Sequence, residues 1–403
     1  MSLAYSENFT IALSSFFMKC VGIWSANNHF EQRLRNFALF YTVFTIFFSV
    51  WIQTRDLYYS WDDFGACTYI ACNILCLNIV LFKIFILWMH KEKFLYLIAY
   101  MRTNFWQSDY APQEQTIFDS WTQICTYFIC FFTFFTEASN VCYMVQPILA
   151  NIGKNESDRI LPFNMWVDLP LSLTPYFEIT FVMQALSLVH IGVCYICSDN
   201  ILCIMNLHVA SQFQILQYRL ENMHDSKSDG EKNHKSLNKR SCGEKCYATF
   251  RNCIQQHQSL IQYSSKIEEV FTSIVLAQVL TFSLLICFVG YQADLSSTRR
   301  ITFINLLTSS LCQLFMFTYS CDCLTRASTG VATAVYAGIW VDLPMDEFGK
   351  MIRKDMQFAV MRTRQPCRLT ANGFFPVSLE TYTNILSTAM SYFTLLKQSS
   401  TGA

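Results

Sequence analysis

The sequence predicts an all-α polytopic membrane protein with seven transmembrane helices, its N-terminus inside, and a cytosolic helical anchor region. Three observations carry this. The 403 residues are 53% hydrophobic, 16% aromatic and only 14% charged, against roughly 25% charge in soluble domains. Seven windows hold no Asp, Glu, Lys or Arg: Asn36–Thr54, Phe64–Phe82, Ser120–Thr136, Ile179–Ser198, Val270–Ala293, Ile301–Cys321 and Thr381–Leu396. Each approaches the ~20 apolar residues that span a hydrocarbon core. Finally, Lys and Arg alternate in density from one inter-window segment to the next. With the N-terminus inside, the inner segments carry 21 of them and the outer segments six, with Lys83 and Lys266 near inner span ends. Positive residues concentrate on the cytoplasmic side of membrane proteins.

In chain order, residues 1–35 form a cytosolic N-terminus. Its apolar patch Phe9–Trp24 lacks a preceding basic region and is broken by Lys19, which suits an interfacial helix better than a signal peptide. Residues 36–202 hold the first four spans. The fourth is expected to run on past Asp199 through the amphipathic series Leu202, Met205, Val209, Phe213, Leu216 and Leu220. Residues 203–268 form cytosolic helical extensions around a mobile, polar linker, His224–Gly243. Glu244–Val289 has neither Gly nor Pro, so the fifth helix should project well beyond the bilayer. Spans five and six occupy 269–322. A cytosolic anchor segment follows over 323–376, absorbing the short apolar stretch Ala327–Val341 and a helix near Met345–Gln365. Gly373 and Pro376 then suit a sharp re-entry into the last span, 377–398, with an extracellular tail at 399–403.

The last span is the most patterned. Thr381, Asn384, Thr388, Ser391 and Gln398 recur at three- and four-residue steps, and Leu395 is the one apolar member of that stripe. Small hydroxyl and amide groups in this arrangement either line a permeation path that a leucine closes by dewetting or let helices pack closely. No acidic residue lies midway along it, so ion selectivity cannot be read from it. The 18 Cys sit mostly in spans or inner segments and do not describe a secreted disulfide framework. Cys194 and Cys197, within an apolar span, and Cys242 and Cys246 near His234 are weak metal motifs; no metal or cofactor is expected. His190 reads as a bundle histidine. Neutral net charge gives no case for nucleic acid.

The segment Pro376–Gln398, PVSLETYTNILSTAMSYFTLLKQ, resembles the C-terminal signature of insect odorant receptors. Gly22 with Trp24, Leu161–Phe163 with Trp166, Asp199, His257 and Arg362–Pro376 match that family in order. The resemblance implies a seven-span, non-enzymatic subunit of a poorly selective, ligand-gated cation channel, a tetramer joined through its anchor region. The gate would fall on Leu395, with Gln398, Ser391, Thr388 and Asn384 lining the path. Thr381 and Tyr382 followed by Thr388 and Ala389 depart from the gustatory pattern, and the short fourth-to-fifth loop departs from the shared co-receptor. The resemblance therefore implies the ligand-specific subunit, partnered with the odorant co-receptor in the plasma membrane of olfactory sensory neuron dendrites, in contact with membrane lipid, permeant cations and a small volatile organic ligand. The family's pocket would draw on Tyr69, Phe135, Ser139, Tyr176, Thr180, Met183 and Phe282. A G-protein-coupled receptor would need the opposite orientation. Asn155, in Asn155-Glu156-Ser157, is an expected glycosylation site, whereas Asn8-Phe9-Thr10 should stay cytosolic.

Overall fold

The computed structural model describes residues 4–26, 28–166, 170–223, 238–295, 300–337 and 347–401. These form the helices α1 (Ala4–Val21), α2 (His29–Tyr59), α3 (Phe64–Met89), α4 (Lys91–Met101), α5 (Pro112–Asn151), α6 (Tyr176–Glu221), α7 (Asn238–Leu295), α8 (Arg300–Ala337), α9 (Glu347–Thr363) and α10 (Leu379–Thr401). Helices α2, α3, α5, α6, α7 and α8 are long and apolar enough to cross a membrane. At ~1.5 Å per residue, the 23 residues of α10 also suffice in length. Its composition is less apolar because the Thr, Asn and Ser stripe occupies one face.

Local chemistry sets several boundaries. Asp63 caps α3 by accepting from the Ala66 backbone N–H at 3.1 Å, and the short turn before it makes α2 and α3 antiparallel neighbours. Helix α5 starts on Pro112, whose missing N–H costs nothing in a first turn. Gly22, at φ +89°, turns the chain from α1 toward α2; a Cβ there would collide with the Arg35 carbonyl oxygen. That clash is why a side chain is excluded.

Helix α6 is the axis of the molecule. The sequence suggests an amphipathic extension beyond Asp199, and all six of its predicted apolar positions are buried. The extension is nonetheless not amphipathic: every residue from Ile196 to Phe213 is buried. The reason is that α1, α3, α5, α7 and α8 all pack around it, and several of its polar groups find partners inside the protein. Asn206 donates to Ser320 Oγ at 3.3 Å, and Gln212 donates to the Tyr110 hydroxyl at 2.7 Å.

Two expectations change. Residues 238–243 of the expected linker are the first turns of the 58-residue α7; the remainder, 224–237, lies outside the described residues. The stretch from Ala327 is the continuation of α8, up to Ala337, rather than a separate piece. Gln217 on α6 donates to the Ala327 carbonyl at 2.7 Å, and a Cβ on Gly330 would meet Gln217 Nε2 at 2.7 Å. Between α9 and α10 the chain makes a tight reversal, with Asn372 at φ 51° and Gly373 at φ +78°. Thr272 of α7 pins it, donating to the Thr370 carbonyl at 2.9 Å and accepting from the Asn372 N–H at 2.8 Å.

Candidate functional site

The end of the bundle formed by the α2–α3 turn, the C-terminal part of α5 and the N-terminal parts of α6 and α8 holds a cavity of about 520 Å³. That volume lies within the ~300–1,000 Å³ typical of small-molecule sites. Tyr41, Phe44 and Phe48 of α2, Leu77 of α3, and Met183, Leu188 and Ile191 of α6 give it an apolar wall, and among the described residues no charged side chain lines it. Of the residues expected in a pocket, Ser139, Thr180 and Met183 line it. Tyr69 stands behind the wall, 6.4 Å from the Tyr143 ring and edge-on to Phe303. Phe135 packs on Phe131 and Phe134, Phe282 is in the core and Tyr176 is exposed at the start of α6. The first span contributes half of the aromatic lining residues, and no described residue of the fifth lines the cavity.

A loop closes one side. Gln184 on α6 holds Phe163 by both backbone groups, donating to its carbonyl at 2.9 Å and accepting from its N–H at 3.0 Å. Trp166 donates to buried Asp56 at 2.9 Å and stacks on Tyr59 with centroids 4.5 Å apart. The Leu161–Phe163 and Trp166 motif is thus the latch that sets Phe163 and Met165 on the cavity wall. Asn155, before Glu156, is exposed on the same loop.

Below the cavity the bundle closes around a buried ion pair. Lys83 of α3 donates to both carboxylate oxygens of Asp199 on α6 at 2.9 Å, with both side chains 1% exposed. Gln278 of α7 donates to the same carboxylate at 2.8 Å, and Gln313 of α8 does so as well. Lys83 also donates to the carbonyl of Tyr195, a cavity residue, at 3.3 Å. Four spans therefore meet on one carboxylate, which supplies the partners that a charge at this depth needs. Asp199 stood out in the sequence only as part of a family pattern. Its partner was hidden because Lys83 sits just past an apolar window and reads as an end-of-span residue. His190 is satisfied as a bundle residue: Thr42 Oγ1 donates to the Ala38 carbonyl and meets His190 Nε2 at 2.8 Å.

At the far end, beyond the apolar windows, Arg219 grips Glu114 through Nε at 2.6 Å and Nη2 at 2.9 Å. That guanidinium holds the Glu114 carboxyl below the usual range. His257 is buried against Phe213. Burial, aided by nearby Arg362, pushes its pKa down to about 4.

Helix α10 packs on α7 and α8 through buried Ile385 and Ala389 and half-buried Tyr382, Leu386 and Phe393. Asn384, Thr388, Ser391, Leu395 and Gln398 all lie on the exposed side, with Leu395 60% exposed. Thr388 and Ser391 donate to the carbonyls of Asn384 and Ser387 at 2.8 and 2.9 Å, so their hydroxyls bond within the helix and the stripe remains small and polar. Among the described residues, no group of three His, Cys, Asp or Glu is placed to hold a metal.

Comparison with known proteins agrees with this architecture. The described fold is similar to the insect olfactory receptor OR5 from Machilis hrabei, solved both alone and in complex with eugenol, with a TM-score of 0.79, 12% identity and coverage of 99% of this chain and 100% of that one. Odorant receptor 13a of Drosophila melanogaster is 28% identical over 233 residues, 54% of this chain and 53% of the relative. Odorant receptor 10 of Aedes albopictus is 24% identical over 263 residues, 64% of each. The matched region thus spans between half and two thirds of the length of these relatives. The family model for the 7tm Odorant receptor matches residues 65–390, and the chain belongs to that family of multi-span membrane receptors.

Proposed function

We propose that this chain is the odorant-binding, ligand-specific subunit of a heteromeric, ligand-gated, non-selective cation channel, assembled with the family's co-receptor, as a tetramer, in the plasma membrane of olfactory neurons. The observation that carries this reading is the direction of the α10 stripe. Asn384, Thr388, Ser391, Leu395 and Gln398 face away from the chain's own bundle, where a single subunit has no use for a polar surface along a spanning helix. Facing the corresponding helices of other subunits, the stripe encloses a water-filled path. Leu395, alone apolar near one end, closes that path by dewetting. The cavity, in the same subunit, supplies the ligand site, and the structural neighbour was solved with eugenol, a small organic molecule.

In this reading the cavity end faces outside, residues 203–268 and 323–376 lie in the cytosol and mediate assembly, and Asn155 is glycosylated. Co-expression with the co-receptor is expected to give odorant-evoked cation currents, and Leu395→Ala to raise the current without ligand. Robust currents from this chain alone, or currents that vanish when G-protein signalling is blocked, would overturn the heteromeric channel. Orientation is read by an endoglycosidase mobility shift: Asn155→Gln should abolish it and Asn8→Gln should not.

A further inference from the structure

We infer that the ligand recognised here is a neutral hydroxyl compound, an alcohol or phenol, whose oxygen is held by Gln53 of α2 and Asn73 of α3. The inference rests on the cavity being the ligand site, as proposed above. Most polar groups that line the cavity already have partners. Ser49, Ser139 and Ser310 donate to carbonyls of their own helices at 2.8 to 3.0 Å. Thr136 and Ser309 bond each other at 3.1 Å, and Gln184 is committed to Phe163. Gln53 and Asn73 differ: both line the cavity, Gln53 is 5% exposed, and Gln53 Oε1 and Asn73 Nδ2 are shut away from water without a hydrogen-bond partner.

Such orphaned groups are expensive to keep in a folded protein, and here the open space beside them is where a partner fits. Across the antiparallel α2–α3 hairpin the two amides sit about one helical turn apart in depth. Gln53 Oε1 calls for a donor and Asn73 Nδ2 for an acceptor. One ligand group that both donates and accepts satisfies the pair, and a hydroxyl is the smallest that does. A ketone, aldehyde or ester accepts only, and leaves an amide carbonyl oxygen unpaired once cavity water is displaced. An ammonium or carboxylate fits less well, because among the described residues no charged side chain lines the cavity and an unpaired charge does not leave water for such a site. The aromatic and aliphatic wall takes the apolar remainder.

Two isosteric series test this on the full chain co-expressed with the co-receptor: n-octanol, n-octanal, heptyl methyl ether and n-nonane; and benzyl alcohol, benzaldehyde, methyl phenyl ether and ethylbenzene. In at least one series the alcohol should be the most potent, by about tenfold or more over the carbonyl compound, as expected for one unpaired buried group. Gln53→Leu and Asn73→Leu, checked for surface expression, should erase most of that preference, lowering the response to the alcohol more than the responses to its ether and hydrocarbon analogues. An alcohol no better than its carbonyl or ether analogue in either series, a preference that survives both substitutions, or no response to any alcohol would overturn the inference. The wild-type series needs no variant, so poor folding of either substitution does not shelter it. Met183→Trp, which narrows the cavity, separates the two levels. If it leaves responses intact, the cavity is not the ligand site; if it abolishes them while no alcohol preference exists, only the hydroxyl assignment fails.

Discussion

The two ends of this bundle solve opposite problems with similar residues. At the loop end, α2, α3, α5, α6 and α8 stand apart around a cavity of about 520 Å³, closed on one side by a latched loop. Beneath it the same helices converge until every side chain of α6 from Ile196 to Phe213 is buried and a charge pair is tied to four spans. A receptor needs both: empty space is only useful on a frame that does not collapse into it. The difference teaches that polarity is distributed by role. In the frame, a charge pair is tied to amides from two further helices; at the cavity, two amides that line open space each keep one atom without a partner.

That contrast makes ordered predictions for stability. Asp199→Ala strands the Lys83 ammonium in the frame and should cost roughly 3–5 kcal/mol, read as a large loss of folded, surface-delivered receptor. Lys83→Met in the same chain should restore much of it, and a double variant as poor as the single one would break the comparison. Phe213→Ala, in the frame but uncharged, should cost about 3–5 kcal/mol, whereas Leu188→Ala beside the existing cavity should cost clearly less in the same thermal-unfolding assay. Trp166→Phe removes the donor to Asp56 and should cost about 1–3 kcal/mol; loosening the latch, it should also quicken the decay of current after ligand washout.

The most gradual effect concerns pH. His257 stays neutral in the folded chain down to about 4, while an unfolded histidine protonates near ~6.5. Between those values the unfolded state binds the extra proton, so stability should fall as pH falls, by at most ~1.4 kcal/mol per pH unit. Glu114, held below its ordinary range by Arg219, contributes stability that is present above the ordinary carboxylate range and lost as pH falls through its lowered value. His257→Gln should remove the upper part of the slope in detergent melts, and an unchanged slope would assign it to other groups.

Much of this was legible in the sequence because hydropathy and small-residue periodicity are local signals. The charge-free windows found the spans, Glu244–Val289 announced a long fifth helix, and Asn384, Thr388, Ser391, Leu395 and Gln398 share one side of α10 as their spacing requires. What stayed hidden was set by who packs against whom. The amphipathic reading of α6 failed because the number of neighbours around a helix is not written in its own periodicity. Tyr69 and Phe282 are plausible pocket residues by type, yet helix rotation puts one behind the wall and the other in the core. Gln53 and Asn73 look like ordinary span polars until the helices are assembled. Lys83 and Asp199, 116 residues apart, advertise themselves only as a charge next to an apolar window.

That separation has a consequence for how the molecule is made. At ~5–20 residues per second, Lys83 leaves the ribosome about 6 to 23 s before the carboxylate that neutralises it. Gln278 and Gln313 arrive later still. During that interval a half-built bundle carries an uncompensated cation on a spanning helix, and its central strut, rich in Asp199, Asn200, Asn206 and His208, arrives before two of the walls that will surround it. The frame therefore cannot close helix by helix as synthesis proceeds. The ties on Asp199 are complete only when α8 delivers Gln313, so this part of the frame waits for the sixth span.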